Sequence, residues 1–354
     1  MKIKYIINTL VLGGLLLGLS LWCVLGPKSD YSESERRTLA VMPEVTWETV
    51  STGKLASGFE AWAVDHFPAR DTFRSIKAYF RLFAMGQKDN NGLYTKDGYL
   101  SKIEYPMNES MMDHAAALFT KIHDRHLTSG QKVWFAMIPD KNEHLSPLPL
   151  DYQLFEEKMA EKLPFATPVS IAPLLEPEDY YRTDTHWKQE SIADVAQTLA
   201  EAMGTSISGE YETVTLETPF YGVYVGQSAL AVKPDRLSYL TNSAIEGYKV
   251  SGAKAVYDLE KAQSRDPYEM FLSGNQPLIT VKNPANTSGK RLILFRDSFG
   301  SSIAPLLAEG YSEVVLVDIR YVASDFLGNL VNFENADVLF LYSTLLLNSS
   351  LGMR

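Results

Sequence analysis

Short, continuous runs of apolar residues constrain the fold of this chain more than any other feature of its sequence. Four such runs follow one another along the chain: Val133–Ile138, Leu292–Phe295, Val314–Val317 and Val338–Leu341. Apolar runs of this length, without polar alternation, are typical of strands that are covered on both faces. Because helical patterns alternate with them, the sequence predicts an α/β fold with a largely parallel sheet flanked by helices.

A polar motif follows the second of these runs. The motif Arg296–Gly300 (RDSFG) comes directly after Leu292–Phe295, and residues 303–307 have the composition of a helix. A strand–turn–helix corner of this kind exposes a serine hydroxyl at the end of the sheet. It also aims the first backbone N–H groups of the helix at an oxyanion formed there. Ser298 is therefore a candidate nucleophile, and the alternative is a serine that only caps the helix.

A second motif, TDTHW, places Asp184 and His186 two residues apart. In an extended segment both side chains would project from one face, so that the carboxylate holds one imidazole nitrogen and the other stays free as a base. Together with Ser298 they supply the components of an acyl-transfer site: a nucleophile, a base and an orienting acid. The alternative for an isolated Asp-x-His is a surface loop with an Asx turn.

Six further residues near these motifs are candidates for oxyanion or substrate contacts: Arg296, Asp297, Arg320, Tyr321, Lys141 and Trp187. Asp297 is a candidate for holding the turn at Ser298, or is a helix cap. For Arg320 and Tyr321, as for Arg296, the alternative is an ordinary surface position. Trp187 is either an apolar wall beside the histidine or part of the core.

Composition and histidine placement argue against two classes of site, although Asp and His are also possible metal ligands. The formal net charge of −10, without a basic stripe, argues against nucleic-acid binding, which depends on neutralising phosphates. His123 and His126 lie near the end of a predicted helix, where a favourable dipole contact explains them without a metal. We therefore predict neither a metal site nor a cofactor.

The N-terminal residues predict a membrane anchor. Lys2 and Lys4 precede an uncharged run of 20 residues, Ile6–Leu25, which is long enough to cross a bilayer as a helix. Lysines ahead of the run favour an extracytoplasmic location for the remainder. We predict an anchor at 1–26, an extended stalk at 27–50 and a catalytic domain at 51–354. The alternative is secretion after cleavage of a signal peptide, although no A-x-A pattern precedes Pro27.

Helical periodicity elsewhere predicts four helices. The first runs from Leu55 to His66. The second should begin at Asp71 as its N-cap and carry Phe73, Ile76, Phe80 and Phe83 on one face. The third and fourth lie at about 109–127 and about 188–203.

Six stretches spread over residues 30 to about 345 carry a resemblance to a known family: SESERRTLAVMPE, FEAWAVDHFPARD, NGLYTKDGYL, IPDKNEHL, YRTDTHW and LFRDSFGSS. The chain resembles the DHHW protein family, which is similar to the SGNH-hydrolase-like catalytic domains of alginate O-acetyltransferases, whose motifs stand in permuted order. The resemblance implies that Ser298 is the nucleophile, His186 the base and Asp184 its orienter. Arg296 stands where SGNH enzymes usually have Gly.

This resemblance leads to a specific functional expectation. It implies an extracytoplasmic O-acyltransferase that transfers an acetyl group to hydroxyls of a cell-surface polysaccharide or exopolysaccharide, with a membrane-bound O-acyltransferase as acyl donor. An acetylesterase would use the same triad and differ only in whether water is excluded. A different class of alternative is a non-catalytic glycan-binding or assembly protein on a degenerate SGNH fold.

Overall fold

The computed structural model describes residues 2–128 and 130–354 of the 354-residue chain. The chain divides into two units by its internal contacts. The N-terminal unit comprises the residues up to Asn91 together with the segment Val225–Ala231. The sheet unit comprises Gly92–Tyr224 and Val232–Arg354.

The strands and helices are numbered in chain order. The strands are β1 (Tyr31–Ser32), β2 (Arg37–Thr38), β3 (Leu93–Lys96), β4 (Tyr99–Lys102), β5 (Val133–Ile138), β6 (Thr167–Pro168), β7 (Glu212–Phe220), β8 (Asp235–Thr241), β9 (Lys249–Ser251), β10 (Leu278–Lys282), β11 (Arg291–Arg296), β12 (Glu313–Val317) and β13 (Ala336–Ser343). The helices are α1 (Lys2–Leu25), α2 (Trp47–Ser51), α3 (Lys54–Asp65), α4 (Arg70–Tyr79), α5 (Glu109–His126), α6 (Asn142–Leu145), α7 (Tyr152–Lys162), α8 (Ala193–Ala202), α9 (Val223–Ser228), α10 (Ser243–Glu246), α11 (Gly300–Leu307), α12 (Leu327–Leu330) and α13 (Thr344–Leu347).

The sheet unit is built on a sheet that, within the described residues, has seven strands in the order β6-β5-β13-β11-β12-β10-β9. The pairs from β6 to β12 are parallel, and β10 and β9 extend the sheet antiparallel. All four apolar runs are central strands of this sheet. The predicted α/β fold with a largely parallel sheet is therefore confirmed.

The central strands contain uninterrupted apolar runs because both faces of the sheet are covered. In β11, Leu292 and Leu294 belong to a core that α8 and α11 close, whereas Ile293 and Phe295 belong to the core on the other face, closed by α5 and α7. All four side chains are fully buried. Burial of each such side chain contributes about 1.5–3 kcal/mol, which fixes the strand at the centre of the sheet.

This topology brings the polar segments of the sequence to one edge. Strands β5, β13, β11 and β12 are adjacent and parallel, so their carboxyl ends meet at the same edge. In open α/β sheets, sites form at this edge. Lys141 follows β5, Ser298 follows β11, and Arg320 follows β12.

The predicted helices are present with two corrections. Helix α4 begins at Arg70 after Ala69, which adopts a left-handed conformation, so Asp71 lies in the first turn rather than at the N-cap. The stretch expected as one helix from about 188 is a 3-10 turn at Gln189–Ser191 followed by α8. Helix α5 carries an apolar stripe in which Met112, Ala115, Phe119 and Ile122 are all fully buried.

The N-terminal unit contains α1 to α4, and a π-helical segment, Phe80–Ala84, continues α4. Among the described residues, α1 is the one helix long and apolar enough to cross a membrane, as an anchor or a signal sequence would be. Part of the expected stalk is folded rather than extended, because β1 and β2 pair and Arg37 forms a bidentate ion pair with Asp65 of α3. The division into anchor, stalk and catalytic domain remains a prediction.

Candidate active site

Ser298, His186 and Asp184 form a continuous hydrogen-bonded chain. The Ser298 Oγ lies 2.8 Å from His186 Nε2, and His186 Nδ1 lies 2.6 Å from Asp184 Oδ1. Ser298 is half-buried in the turn between β11 and α11, whereas the other two side chains are buried. The contact predicted from the two distant motifs is therefore present. Its geometry is that of a nucleophile, a base and an orienting acid.

The Asp184 carboxylate is buried but fully provided with donors. Its Oδ1 accepts from the ring Nδ1 of His186 and from the His186 backbone N–H at 3.2 Å, and its Oδ2 accepts from the Val223 N–H at 2.8 Å. Burial alone would raise the pKa of Asp184, but the bonds to His186 and Val223 outweigh it and hold the pKa below its usual value. The ionised carboxylate can only accept hydrogen bonds, so it favours the neutral tautomer with the proton on Nδ1 and leaves the Nε2 lone pair free to accept from Ser298.

The TDTHW motif is not the extended segment that we expected. It is a tight loop closed by a bridge between Tyr180 and Trp187, and the Tyr181 N–H donates to the His186 carbonyl. The His186 N–H bond to Asp184 is an Asx-type contact, which was the alternative interpretation of this motif. Both side-chain pairing and Asx geometry thus occur together in a buried loop.

Lys141 and Asp235 hold this loop in place by hydrogen bonds, most of them to its backbone. The Lys141 ammonium donates to the carbonyls of Tyr181 and Asp184 at 2.7 and 2.6 Å. Asp235 accepts from the backbone N–H groups of Arg182 and Thr183 and from the Thr183 hydroxyl. Lys141 is completely buried, and burial lowers its pKa to about 8. The expectation that Lys141 contacts a substrate or an oxyanion is therefore corrected, because its ammonium group donates to backbone carbonyls of the loop instead.

The His186 ring contacts two aromatic side chains. The Tyr268 ring stacks on it at 3.7 Å between centroids, and Phe299 lies at 4.8 Å. The Tyr268 hydroxyl donates to Ser302 Oγ at 2.9 Å, and the Trp187 indole N–H donates to the same atom at 2.8 Å. The imidazole plane is therefore fixed by packing as well as by Asp184.

Ser302 and Tyr268 were not predicted as site residues from the sequence. For Trp187, the structure distinguishes between the two interpretations. Ser302 lies two residues past the RDSFG motif, which was the available signal, whereas Tyr268 comes from a region with no recognisable pattern. Trp187 is fully buried in the core and packs edge-on against Phe299. It is thus a core residue that contacts Phe299 beside the histidine.

Asp297 holds the turn at Ser298, as one of its two interpretations predicted. Its Oδ1 accepts from the Phe299 N–H at 3.0 Å, and its Oδ2 accepts from both the N–H and the hydroxyl of Ser343 at the end of β13. The carboxylate therefore fastens the turn to the neighbouring strand.

The backbone N–H groups at the start of α11 differ from our expectation. Those of Gly300, Ser301 and Ser302 donate to the carbonyls three residues earlier, at 3.1 to 3.3 Å. Among the described residues, no acceptor is found for the N–H of Ser298 itself. The donor that remains for an oxyanion at this turn is therefore the N–H of the serine rather than those of the helix.

The arginines near the site have different environments. Arg296 is fully buried and lies 3.5 Å from Asp318 Oδ2. Its guanidinium donates to the backbone carbonyls of Asp297 and Gln276. The expectation that Arg296 is an oxyanion donor and the alternative that it is a surface residue are therefore both corrected. Arg320 is partly exposed and forms a bidentate pair with Asp318, and the exposed Tyr321 ring lies 5.5 Å from its guanidinium. Arg320 and Tyr321 remain candidates for substrate contacts.

Two further carboxyl groups, those of Glu104 and Asp140, are buried near Lys141. Glu104 Oε2 accepts from the hydroxyls of Tyr152 and Thr344, and Asp140 Oδ1 accepts from the Asn142 N–H. The other oxygen of each carboxyl is buried and without a partner among the described residues. Burial and the neighbouring Asp140 raise the pKa of Glu104 to about 8, and burial also raises the pKa of Asp140. With a pKa of about 8, the Glu104 carboxyl keeps its proton at neutral pH.

In the part of the chain that the structure describes, no group of three or more His, Cys, Asp or Glu side chains is arranged to hold a metal ion. The prediction that no metal or cofactor is required stays a prediction.

Glu104 should make stability fall as the pH rises. The folded chain retains the Glu104 proton up to about pH 8, whereas the unfolded chain loses it near the usual pKa of about 4.3. The stabilisation is thus complete at acidic pH and declines between about pH 5 and about pH 8, by at most about 1.4 kcal/mol per pH unit. Thermal unfolding of the full chain in detergent should show this slope, and Glu104→Gln should reduce it. Exposed Glu157→Gln is the control, and an unchanged slope in Glu104→Gln would contradict the assignment.

Gly222 allows the segment before α9 to reach Asp184. A Cβ at this position would lie 2.3 Å from the Thr183 carbonyl oxygen and 2.4 Å from Asp184 Cβ. Gly222→Ala should therefore displace the Val223 N–H from Asp184, at a cost of about 1–3 kcal/mol for the lost charge-assisted bond. We expect a lower unfolding midpoint and slower reaction of Ser298 with acyl esters.

Gly247→Ala is the matched control, because its Cβ would meet backbone oxygen no closer than 3.4 Å. If Gly222→Ala and Gly247→Ala behave alike in both measurements, the close approach does not support the site.

Comparisons with known proteins give the fold a context. No protein-family model matches the chain, and no curated protein matches it in sequence. A DHHW family protein from Eubacterium siraeum has a similar structure, with a TM-score of 0.57 and 23% identity over 73% of this chain and 93% of that chain. PatB1 from Bacillus cereus, solved with a sulfonyl adduct, matches with a TM-score of 0.55 and 18% identity over 72% and 95% of the two chains.

A third structure is more distant. The O-acetyltransferase domain of AlgJ from Pseudomonas putida matches with a TM-score of 0.45 and 17% identity over 73% and 93% of the two chains, which is too low to carry weight. At these identities the likenesses concern the fold. The resemblance seen in the sequence motifs is matched by this structural likeness, and the chain shares the α/β architecture of the DHHW family protein and of PatB1.

Proposed function

We propose that this chain is a membrane-anchored, extracytoplasmic O-acyltransferase that forms an acyl-enzyme on Ser298 and passes an acetyl group to hydroxyls of a cell-surface polysaccharide or exopolysaccharide. The observation that carries the proposal is the hydrogen-bonded chain from Ser298 through His186 to Asp184 at the carboxyl edge of the sheet. The shared architecture with a DHHW family protein and PatB1 is compatible with it.

The first half of the reaction acylates the serine. Ser298 Oγ attacks the carbonyl carbon of the donor ester while its proton moves to His186 Nε2. The carbonyl oxygen becomes an oxyanion, for which the Ser298 N–H is the available donor. As the tetrahedral intermediate collapses, the bond to the leaving alcohol breaks, and that alcohol takes the proton from Nε2. The ionised Asp184 stabilises the imidazolium while it exists.

The second half reverses these roles with a different alcohol. A sugar hydroxyl gives its proton to Nε2 and attacks the acetyl-serine carbonyl, and the serine oxygen recovers the proton as it leaves. The products are an O-acetylated sugar and the free enzyme. Water in place of the sugar gives hydrolysis, so transfer requires that the acceptor exclude water from the acyl-enzyme.

The substrates follow from the resemblance to the alginate O-acetyltransferases. That resemblance supports a polysaccharide as acceptor and a membrane-bound O-acyltransferase as the partner that delivers the acyl group. The apolar helix α1 supports a location at the membrane, and the lysines that precede its apolar run support an extracytoplasmic side for the residues that follow it.

Acylation of Ser298 tests this mechanism. Full-chain protein treated with 4-nitrophenyl acetate should gain one acetyl mass, and peptide mapping should place it on Ser298. Ser298→Ala should abolish the adduct, and His186→Ala should slow it by about 10²–10⁴-fold. Asp184→Asn should react more slowly than wild type, because the imidazole remains but loses its orienting charge.

Ser301→Ala is the matched control, since Ser301 is the next serine along the chain and is buried. It should acetylate as wild type does. Added polysaccharide should accelerate loss of the acetyl group and become acetylated; loss to water alone would make the chain an esterase. A wild-type protein that never acetylates but binds polysaccharide would contradict the enzymatic proposal and favour the binding role.

The location has its own test. If α1 is an uncleaved anchor, the protein should stay in the membrane fraction after alkaline carbonate washing, and protease added to intact cells should digest it. A soluble mature protein that begins near residue 27 would show that the segment is a cleaved signal peptide. Digestion only after cell lysis would contradict the extracytoplasmic placement.

A further inference from the structure

Helix α4 turns its apolar stripe away from the rest of the N-terminal unit. Four side chains spaced three and four residues apart form one face of α4 and its π-helical continuation. Each is more than half exposed: Phe73 52%, Ile76 59%, Phe80 57% and Phe83 62%. In a helix of a water-soluble protein, this stripe would face the core.

The opposite face of the same helix packs against the rest of the N-terminal unit and carries charge. Ala78 is fully buried there. Arg74 donates to the carbonyls of Gly226 and Gln227 at 2.9 and 3.1 Å and pairs with Glu35 at 3.2 Å. The amphipathic pattern is therefore inverted, since guanidinium groups are held inside the unit while phenyl rings are outside. An apolar face of this size in contact with water is unfavourable and indicates a contact with another apolar medium.

Helix α3 extends this apolar face. Phe59 and Val64 are exposed, and Phe67 packs edge-on against Phe73 at 5.7 Å between ring centroids. A cavity of about 810 Å³ is lined by Phe59, Val64, Phe67 and Phe73, and Lys77 is among its polar residues. The surface thus joins both helices, and the cavity lining includes the acids Glu35 and Glu60 as well as the cation Lys77.

The end of α1 lies against α3. The Cys23 thiol is 3.6 Å from the Ala63 carbonyl oxygen, and the Lys28 ammonium lies 4.6 Å from the centre of the Trp62 ring. Cys23 is two residues before the end of α1, a distance of about 3 Å along a helix. If α1 crosses a bilayer, α3 must then lie at the depth where the membrane helix leaves the hydrocarbon.

We propose that the apolar face formed by Phe59, Val64, Phe67, Phe73, Ile76, Phe80 and Phe83 lies in the interfacial layer of the bilayer that α1 crosses. The inference rests on the proposed role of α1 as a membrane anchor. Amphipathic helices with aromatic side chains on one face and basic residues beside it bind this layer, where rings enter the acyl boundary and lysines meet anionic headgroups. The contact between α1 and α3 favours the bilayer over a separate protein as occupant.

Nitroxide accessibility tests the proposal on the full chain. The single native cysteine is removed by Cys23→Ala, and a spin label is attached at Ile76→Cys, with Phe83→Cys as an independent second position. The protein is reconstituted into nanodiscs of phosphatidylethanolamine and phosphatidylglycerol. Collision with oxygen, which partitions into lipid, is compared with collision with a water-soluble nickel chelate. Leu16→Cys in α1 is the membrane reference, and the exposed Leu351→Cys of the sheet unit is the aqueous reference.

We expect the labels at Ile76 and Phe83 to favour oxygen, as Leu16 does, and Leu351 to favour the nickel chelate. Labels at Ile76 and Phe83 as open to nickel as Leu351 would overturn the proposal while leaving the anchor intact. Shielding from both reagents would overturn it in favour of a protein surface, such as a second copy of the chain. A nickel-accessible Leu16 would overturn the anchor as well. Acetylation of Ser298 in the same samples tests the catalytic proposal separately.

Discussion

The candidate site depends on one buried negative charge, the Asp184 carboxylate. A buried carboxylate is costly unless donors surround it, and in this chain three N–H groups from His186 and Val223 do so. Much of the surrounding structure serves this arrangement. Lys141 anchors the loop that carries the carboxylate, and Gly222 lets a distant segment bring the Val223 N–H into contact. With the charge fixed, His186 keeps Nε2 free toward Ser298, which is the property that acyl transfer requires.

The parts predicted from sequence are those that local pattern determines. The central strands are recognisable as apolar runs because both faces of the sheet are covered, and the parallel topology then places Ser298 at the carboxyl edge. The pairing of Ser298 with His186, 112 residues apart, was inferred from residue chemistry and family resemblance rather than from spacing. Residue chemistry made the pairing a candidate because few combinations can activate a serine hydroxyl, and the family resemblance assigned the roles.

The parts that sequence did not predict depend on tertiary burial. Arg296 and Lys141 were expected as donors for a substrate, but the fold buries both and uses them to hold backbone carbonyls. Tyr268, which stacks on the imidazole, comes from a segment without a motif. Periodicity predicted the stripe on α4 but could not show that it faces outward, because the spacing of apolar residues along a helix does not identify the medium on its apolar side.

The central claim is that His186 activates Ser298 as the nucleophile, and reaction with a sulfonyl fluoride tests it most directly. Sulfonylation needs neither the native donor nor the acceptor, so it isolates the nucleophile from questions of substrate. Phenylmethanesulfonyl fluoride should add one sulfonyl group to the full chain, and peptide mapping should place it on Ser298 and not on Ser301 or Ser302. The rate should fall about 10²–10⁴-fold in His186→Ala. Modification of Ser298 at the same rate with and without His186, or its absence from the wild-type protein, would contradict the account.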